Sequence, residues 1–191
     1  MTMIDSRWPD RLQHEFFVRD VLEVAPVLLG KTLVRRYDDG MERRFIITET
    51  EAYRGDGDLA CHAGKGMTPR NSVMFGEGGK IYVYFIYGMY WMLNVVTGPE
   101  GDASAVLIRG VEGVNGPGRV GKILQLDRSF YGESLAGSQR LWVEDSSRAT
   151  AYTTHPRIGI HYAGEPWVSM LWRFVLDRSR TKGLRDLETE R

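Results

Sequence analysis

The sequence predicts an α+β fold built on a largely antiparallel sheet. Two observations predict it. Segments rich in aromatic and β-branched residues dominate the chain, and neighbouring ones are joined by tight glycine-containing turns. Short turns pair adjacent strands as hairpins, whereas parallel strands need long crossovers.

The elements follow in order. DVLEVAPVLL at 20–29 reads as a short helix capped by Gly30, with Pro26 limiting its length. KTLVRRY, DDG and MERRFIITETEAY, together 31–53, read as two strands around an Asp-Gly turn. IYVYFI, Tyr87-Gly88 and MYWMLNVVT, together 81–97, read as a second hairpin. SAVLIRGV at 104–111 and PRIGIHY at 156–162 read as further strands. GKILQLD at 121–127 reads as a helix entered through a glycine-rich loop. No repeat, low-complexity tract or linker divides the chain, so residues 1–191 read as one domain, with 1–15 and 183–191 expected to fray.

Composition bounds the function. Hydrophobic residues make up 42% and charged residues 26%, ordinary for a globular domain. No apolar run is long enough to span a bilayer, and the N-terminus carries early charges and no apolar stretch. The single cysteine, Cys61, cannot form an internal disulfide, which fits a cytoplasmic setting. Lys plus Arg is 25 and Asp plus Glu is 25, so the chain lacks the basic excess usual in nucleic-acid binders. Its charges are unevenly placed, however, with arginine enriched over 157–182 and acids over 49–58.

Three segments carry candidate chemistry. In FIITETEAY at 45–53, alternation puts Phe45, Ile47, Glu49, Glu51 and Tyr53 on one strand face. That face is either a solvated strand end or the wall of a pocket. A carboxylate there can stabilise an oxocarbenium-like state and take a proton from water. In YVYFIYGMYW at 82–91, Tyr87 falls at the hairpin turn. Such a ring can wedge between base pairs, with tyrosines behind it to stack a flipped base. Tyr82 and Trp91 read instead as core. The third segment, Gly116-Pro117-Gly118-Arg119-Val120-Gly121-Lys122, matches the first seven positions of a phosphate-binding loop. Ile123 stands where Ser or Thr should hold magnesium, so a nucleotide hydrolase is a poor fit. A helix start gripping one DNA phosphate and a plain Gly/Pro turn both remain open. Cys61 and His62 are adjacent, and His14, His155 and His161 show no metal-ligand spacing with them, so no metal is expected.

Taken together, the chain resembles the alkyladenine (3-methyladenine) DNA glycosylase family. The matching stretches are ETEAYRG at 49–55, HAGKGMTPRNSVMF at 62–75, YVYFIYGMYWMLN at 82–94, AVLIRGVE at 105–112, NGPGRVGKILQL at 115–126 and PRIGIHYAGE at 156–165. FFVRDVLEVAPVLLGKTLVRR at 16–36 and PWVSMLWR at 166–173 also fit, so the resemblance runs from about Phe16 to Arg180.

The resemblance implies a curved antiparallel sheet with flanking helices and a protruding hairpin. It implies a monomeric enzyme without cofactor that flips alkylated or deaminated purines from duplex DNA and hydrolyses the N-glycosidic bond. Glu51 matches the base that activates water, and Arg109 and the Ile158 carbonyl match groups that help hold that water. Tyr53, His62 and Tyr84 match residues around the flipped base, with Ala52 between Glu51 and Tyr53 in the same motif. Asn94 matches the residue that crowds the 2-amino group of guanine. Tyr87 matches the wedge, with Met89 and Tyr90 beside it. Arg70, Arg119 and Lys122 are expected at phosphates. Because the same fold class serves a binding-only domain of methionyl-tRNA formyltransferase, a nucleic-acid-binding module is the alternative. Glu51 with Tyr53 and Tyr87 argues against it.

Overall fold

A computed structural model describes residues 10–145 and 151–180. The helices are short: α1 spans His14–Phe17, α2 Val21–Val27 and α3 Pro117–Ile123. The strands are β1 (Thr32–Arg36), β2 (Glu42–Tyr53), β3 (Ile81–Ile86), β4 (Tyr90–Thr97), β5 (Ser104–Val111), β6 (Val114–Asn115), β7 (Leu141–Glu144), β8 (Tyr152–His155) and β9 (Arg173–Leu176). They form a sheet of order β3-β4-β5-β2-β1-β7, with β9 joining β2 to β8 and β6 lying on β5. Every strand pairing among the described residues is antiparallel. The class is α+β, and the two expected hairpins are present as β1–β2 and β3–β4.

Local chemistry explains the helix ends. Asp20 caps α2 by accepting from Leu22 N–H, and Gly30 follows it at φ 78°, a conformation that favours glycine. Pro26 sits in the last turn of α2. The twelve-residue β2 is the spine of the molecule, pairing with β1, β5 and β9. Phe45, Ile46 and Ile47 are all buried, so this half of β2 is covered on both faces. A register irregularity between Ile47 and Thr50 precedes Glu51 and Tyr53, whose side chains do meet on one side. Thr50 points the other way and donates to Ala25 O of α2.

Three expectations change. PRIGIHY is not a strand: Gly159 has φ 79°, and a short 3-10 turn covers His161–Ala163. Its alternation of Ile158, Ile160 and Tyr162 does not mark a buried face: Arg157 and Ile160 are buried, while Ile158 and Tyr162 are exposed. The helix expected after the glycine-rich loop begins inside that loop, at Pro117. Within the N-terminal stretch expected to fray, Leu12 is buried and its N–H donates to Val143 O. Residues 1–9 and the expected frayed tail lie outside the described residues.

The α3 glycines have a packing reason that differs from phosphate binding. A Cβ on Gly121 would lie 1.8 Å from Trp91 O, and one on Gly118 would lie 2.7 Å from Tyr90 Cγ. Both glycines let α3 lie directly against β4, beneath the hairpin tip. Gly121→Ala must therefore push helix from strand, because the obstructing atom is backbone. The expected loss is about 3 kcal/mol, the upper range for overpacking. Urea unfolding measures it, and an unchanged midpoint would mean that α3 slides without cost.

Candidate active site

The β2 end, the β3–β4 hairpin, the 54–71 loop, α3 and the 156–162 loop surround one large cavity of about 1060 Å³. Tyr53, His62, Arg70, Tyr84, Tyr87, Tyr90, Asn94, Arg109, Arg119 and Ile158 all border it, so most of the expected site residues are brought together. Glu51 lies just behind that surface with no solvent exposure.

Three donors hold Glu51. Ile158 N–H donates to Oε1 at 2.8 Å, Tyr53 O–H donates to Oε2 at 2.7 Å, and Arg109 Nη1 stands 3.4 Å from Oε2. Arg109 also reaches Glu49 at 3.3 Å, and Glu49 is paired with Arg173 at 3.0 Å. Burial pushes the Glu51 carboxyl above its ordinary range. Arg109, the Ile158 N–H and Tyr53 pull it back, in that order, and Glu49 adds to the rise. The Tyr53 phenol is raised strongly, first by burial and then by the Glu51 charge, so it remains a hydrogen-bond donor. Ile158 meets Glu51 through its backbone N–H, next to the carbonyl expected to help hold the water.

The aromatic wall is built on β3. His62 Nδ1 lies 2.9 Å from Tyr82 Oη, and the His62 ring meets Tyr84 edge-on with centroids 4.6 Å apart. His62 is drawn toward the neutral form, first by desolvation and then by Arg70. Arg70 in turn stacks over Tyr84 at 5.5 Å. The Tyr84 phenol is pushed up to about 12, mainly by burial and then by the Glu51 charge. Asn94 is buried on the cavity wall, and its Nδ2 donates to Tyr82 O at 3.1 Å, which leaves Oδ1 as its other polar atom.

Tyr87 occupies the hairpin tip at φ 55°, with Gly88 at 67° and Met89 N–H donating to Ile86 O. Two successive positive φ values give the tight turn whose twist matches the strands. A tyrosine in this region is strained. It is 77% exposed, and Met89 beside it is 64% exposed. Trp91 packs partly against the core and Tyr82 is buried, as expected for both.

Besides Glu51, three expected residues do not border the cavity. Ala52 is fully buried on the other face of β2, Met89 stands out at the tip, and Lys122 is exposed on α3. Sequence reasoning missed Asn71, which is buried and anchors the His62 loop by donating to His62 O and Gly66 O. It also missed the buried Asp58–Arg157 pair, a contact across 99 residues that no local pattern announces. Lys65 borders the cavity as well. Cys61 borders it as a buried thiol pushed up to about 12 by desolvation. Among the described residues no group of three or more His, Cys, Asp or Glu side chains is arranged to hold a metal ion. No helix among them is long and apolar enough to cross a membrane.

Comparison with known proteins gives a concordant result. The family model described as Methylpurine-DNA glycosylase (MPG) matches residues 15–116 and 111–180. A relative from Methanocella arvoryzae, provisionally named a 3-methyladenine DNA glycosylase, is 43% identical over 183 residues, covering 85% of this chain and 90% of the relative. A relative of the same provisional name from Legionella pneumophila (strain Corby) is 44% identical over 176 residues, covering 87% and 94%. A third, from Anaeromyxobacter dehalogenans (strain 2CP-C), is 45% identical over 175 residues, covering 87% and 83%. With the family model spanning nearly all of the described fold and these relatives aligned over most of their length, the chain belongs to the methylpurine-DNA glycosylase family.

Proposed function

We propose that this DNA glycosylase flips alkylated or deaminated purines out of duplex DNA and hydrolyses their N-glycosidic bond with water activated by Glu51. The observation that carries the reading is a sealed, three-donor carboxylate directly behind an aromatic cavity. An ionised carboxylate has about four acceptor sites. Tyr53 and Arg109 occupy Oε2, while Ile158 N–H occupies only part of Oε1. The free site on Oε1 is where a water can give up its proton. Sealing from bulk solvent lowers the local dielectric, so the same charge also stabilises the cationic sugar more strongly.

The leaving group divides the work. Alkylation at N3 or N7 makes the purine cationic and ready to depart, so position, carboxylate and water suffice. Neutral hypoxanthine needs a proton or a hydrogen-bond donor, and the hydrogen-bonded His62–Tyr82 pair on the cavity wall is a candidate. Tyr53, His62 and Tyr84 hold the base, and Asn94 crowds a guanine 2-amino group. Tyr87 fills the vacated stack, and Arg70 and Arg119 take phosphates. Met89, Tyr90 and Lys122 extend that contact outward from the cavity. All of these groups come from one chain, so the proposed site needs no residue from a second copy, and we take the enzyme to act as a monomer.

The test is release of free base from alkylated duplex DNA in the presence of a strong chelator, with the strand left intact. Full activity under chelation is expected. Loss restored by magnesium would revive a nucleotide-dependent reading. Trapping of a DNA adduct by borohydride would move the nucleophile to Lys65. Tight DNA binding without base release would make the chain a binding module only.

A further inference from the structure

We infer that Asp58 and Arg157 are positioning residues for the reaction, a buried ion pair that sets the Ile158 N–H and the Tyr53 ring against Glu51. The inference rests on the reading of Glu51 as the general base.

The geometry is specific. Arg157 Nη1 and Nη2 reach Asp58 Oδ2 and Oδ1 at 2.5 and 2.9 Å, and both side chains are fully buried. Arg157 Nη1 also donates to Ala52 O at 3.0 Å, the carbonyl between Glu51 and Tyr53. The guanidinium lies over the Tyr53 ring at 4.8 Å and over the Trp172 ring at 5.0 Å. Asp58 meanwhile accepts from Ala60 N–H at 3.0 Å and Arg54 N–H at 3.3 Å, bracing the loop that carries His62.

One ion pair thus clamps three segments: the end of β2, the His62 loop and the irregular 156–160 loop. The residue after Arg157 is Ile158, whose N–H holds Glu51 Oε1. That loop is no strand and has no ladder of its own to fix it. Arg173 Nε donates to Pro156 O at 2.9 Å and Tyr162 O–H to Ala60 O at 3.0 Å, at the loop's two ends, and Arg157 is the anchor directly beside Ile158. A buried ion pair is weak evidence for stability, because desolvation offsets the attraction. What it does supply is a fixed place for the groups it joins, here both backbone and ring partners of one carboxylate.

The test is D58N/R157M. Removing both charges together avoids leaving one buried and unpaired, and the amide oxygen introduced by Asp58→Asn keeps an acceptor for Ala60 N–H. The double variant is expected to unfold cooperatively and to bind lesion DNA. Its single-turnover base release should fall about 100-fold, as for a small misplacement of a catalytic group. The acid limb of its pH–rate profile should move up by roughly one unit, because an N–H that favours the ionised carboxylate is loosened. A purely structural role would not move that limb. Other groups facing Glu51 are Arg109 from β5, Glu49 and Tyr53 from β2, Tyr84 from β3 and Tyr162 from the 156–162 loop, with Arg173 of β9 on Glu49. Repeating the profile in an H62Q background removes the histidine titration.

R157K keeps the charge against Asp58 but cannot span Ala52 O and both Asp58 oxygens. It is expected to fall between wild type and the double variant in rate and in limb position. An unmoved limb with a wild-type rate in D58N/R157M overturns the inference. If that variant fails to fold, the same result in R157K overturns it. E51Q measured in parallel separates the two claims. An active E51Q removes the base assignment and this inference with it, whereas an inactive E51Q beside a wild-type D58N/R157M removes the positioning role alone.

Discussion

Glu51→Gln is expected to lower single-turnover base release by ~10²–10⁴-fold, the usual loss on removing a general base. Binding to lesion DNA should persist, because Glu51 is buried behind the cavity wall and touches its neighbours rather than solvent. Glutamine still offers one oxygen to Ile158 N–H or Tyr53 O–H, but it cannot take a proton or offset a developing cation. Activity within a few-fold of wild type would remove Glu51 from the mechanism.

The same variant carries a stability prediction of opposite sign. Burial holds the Glu51 carboxyl above its ordinary range in the folded chain. A group whose folded pKa is raised supports folding below its unfolded pKa, and that support is lost as pH rises through the folded value. At neutral pH the ionised form is therefore carried at a cost that Gln does not share. E51Q should melt at the same temperature as wild type or higher near neutrality, and the difference should fade as pH falls through the carboxylate range. A clear drop in melting temperature would show that Glu51 holds the fold together, and the activity loss would lose its meaning.

What the sequence showed and what it hid have a common physical basis. Hairpins declare themselves locally: β1–β2 and β3–β4 are each joined by a turn of a few residues, and alternation reports their faces. The ring at 87 was legible for that reason, since it tips a turn; alternation left the carboxylate at 51 open between a solvated strand end and a pocket wall, and only the packing of distant segments shows it fully buried. PRIGIHY misleads because its apolar residues recur every second position without any ladder partner. The signal that could have corrected it is Gly159, a residue suited to φ 79°. Short strands such as Tyr152–His155 are too brief and too exposed to show a pattern. The glycine-rich loop hid a packing role, because only the docked helix reveals that Gly121 faces Trp91 O. Asp58, Asn71 and Arg157 matter through distant contacts that no window of sequence contains.

Tyr87→Ser is expected to shift the flipping equilibrium back by about 10–100-fold and to leave the chemical step nearly untouched. Extruding a nucleotide costs a few kcal/mol of stacking and pairing. An aromatic ring stacked in the vacancy returns ~1–3 kcal/mol, at tenfold per ~1.4 kcal/mol. Tyr87 is suited to this by its place: it is 77% exposed at a turn that holds φ 55°. That turn keeps a bulky ring in a strained region outside the core, a cost that stability alone gives no reason to carry. Serine is as poorly suited to that backbone as tyrosine, so Tyr87→Asn, which tolerates positive φ better, controls for any change in the turn itself. Both variants should show the same defect if the lost ring is what matters. The defect should be largest for a well-paired lesion and should shrink opposite a mismatch or gap, where extrusion is easier. Single-turnover rates on hypoxanthine opposite thymine and in a destabilised context give the comparison. Equal defects in both contexts would place Tyr87 on the chemical step or in the fold, and the wedge assignment would fall.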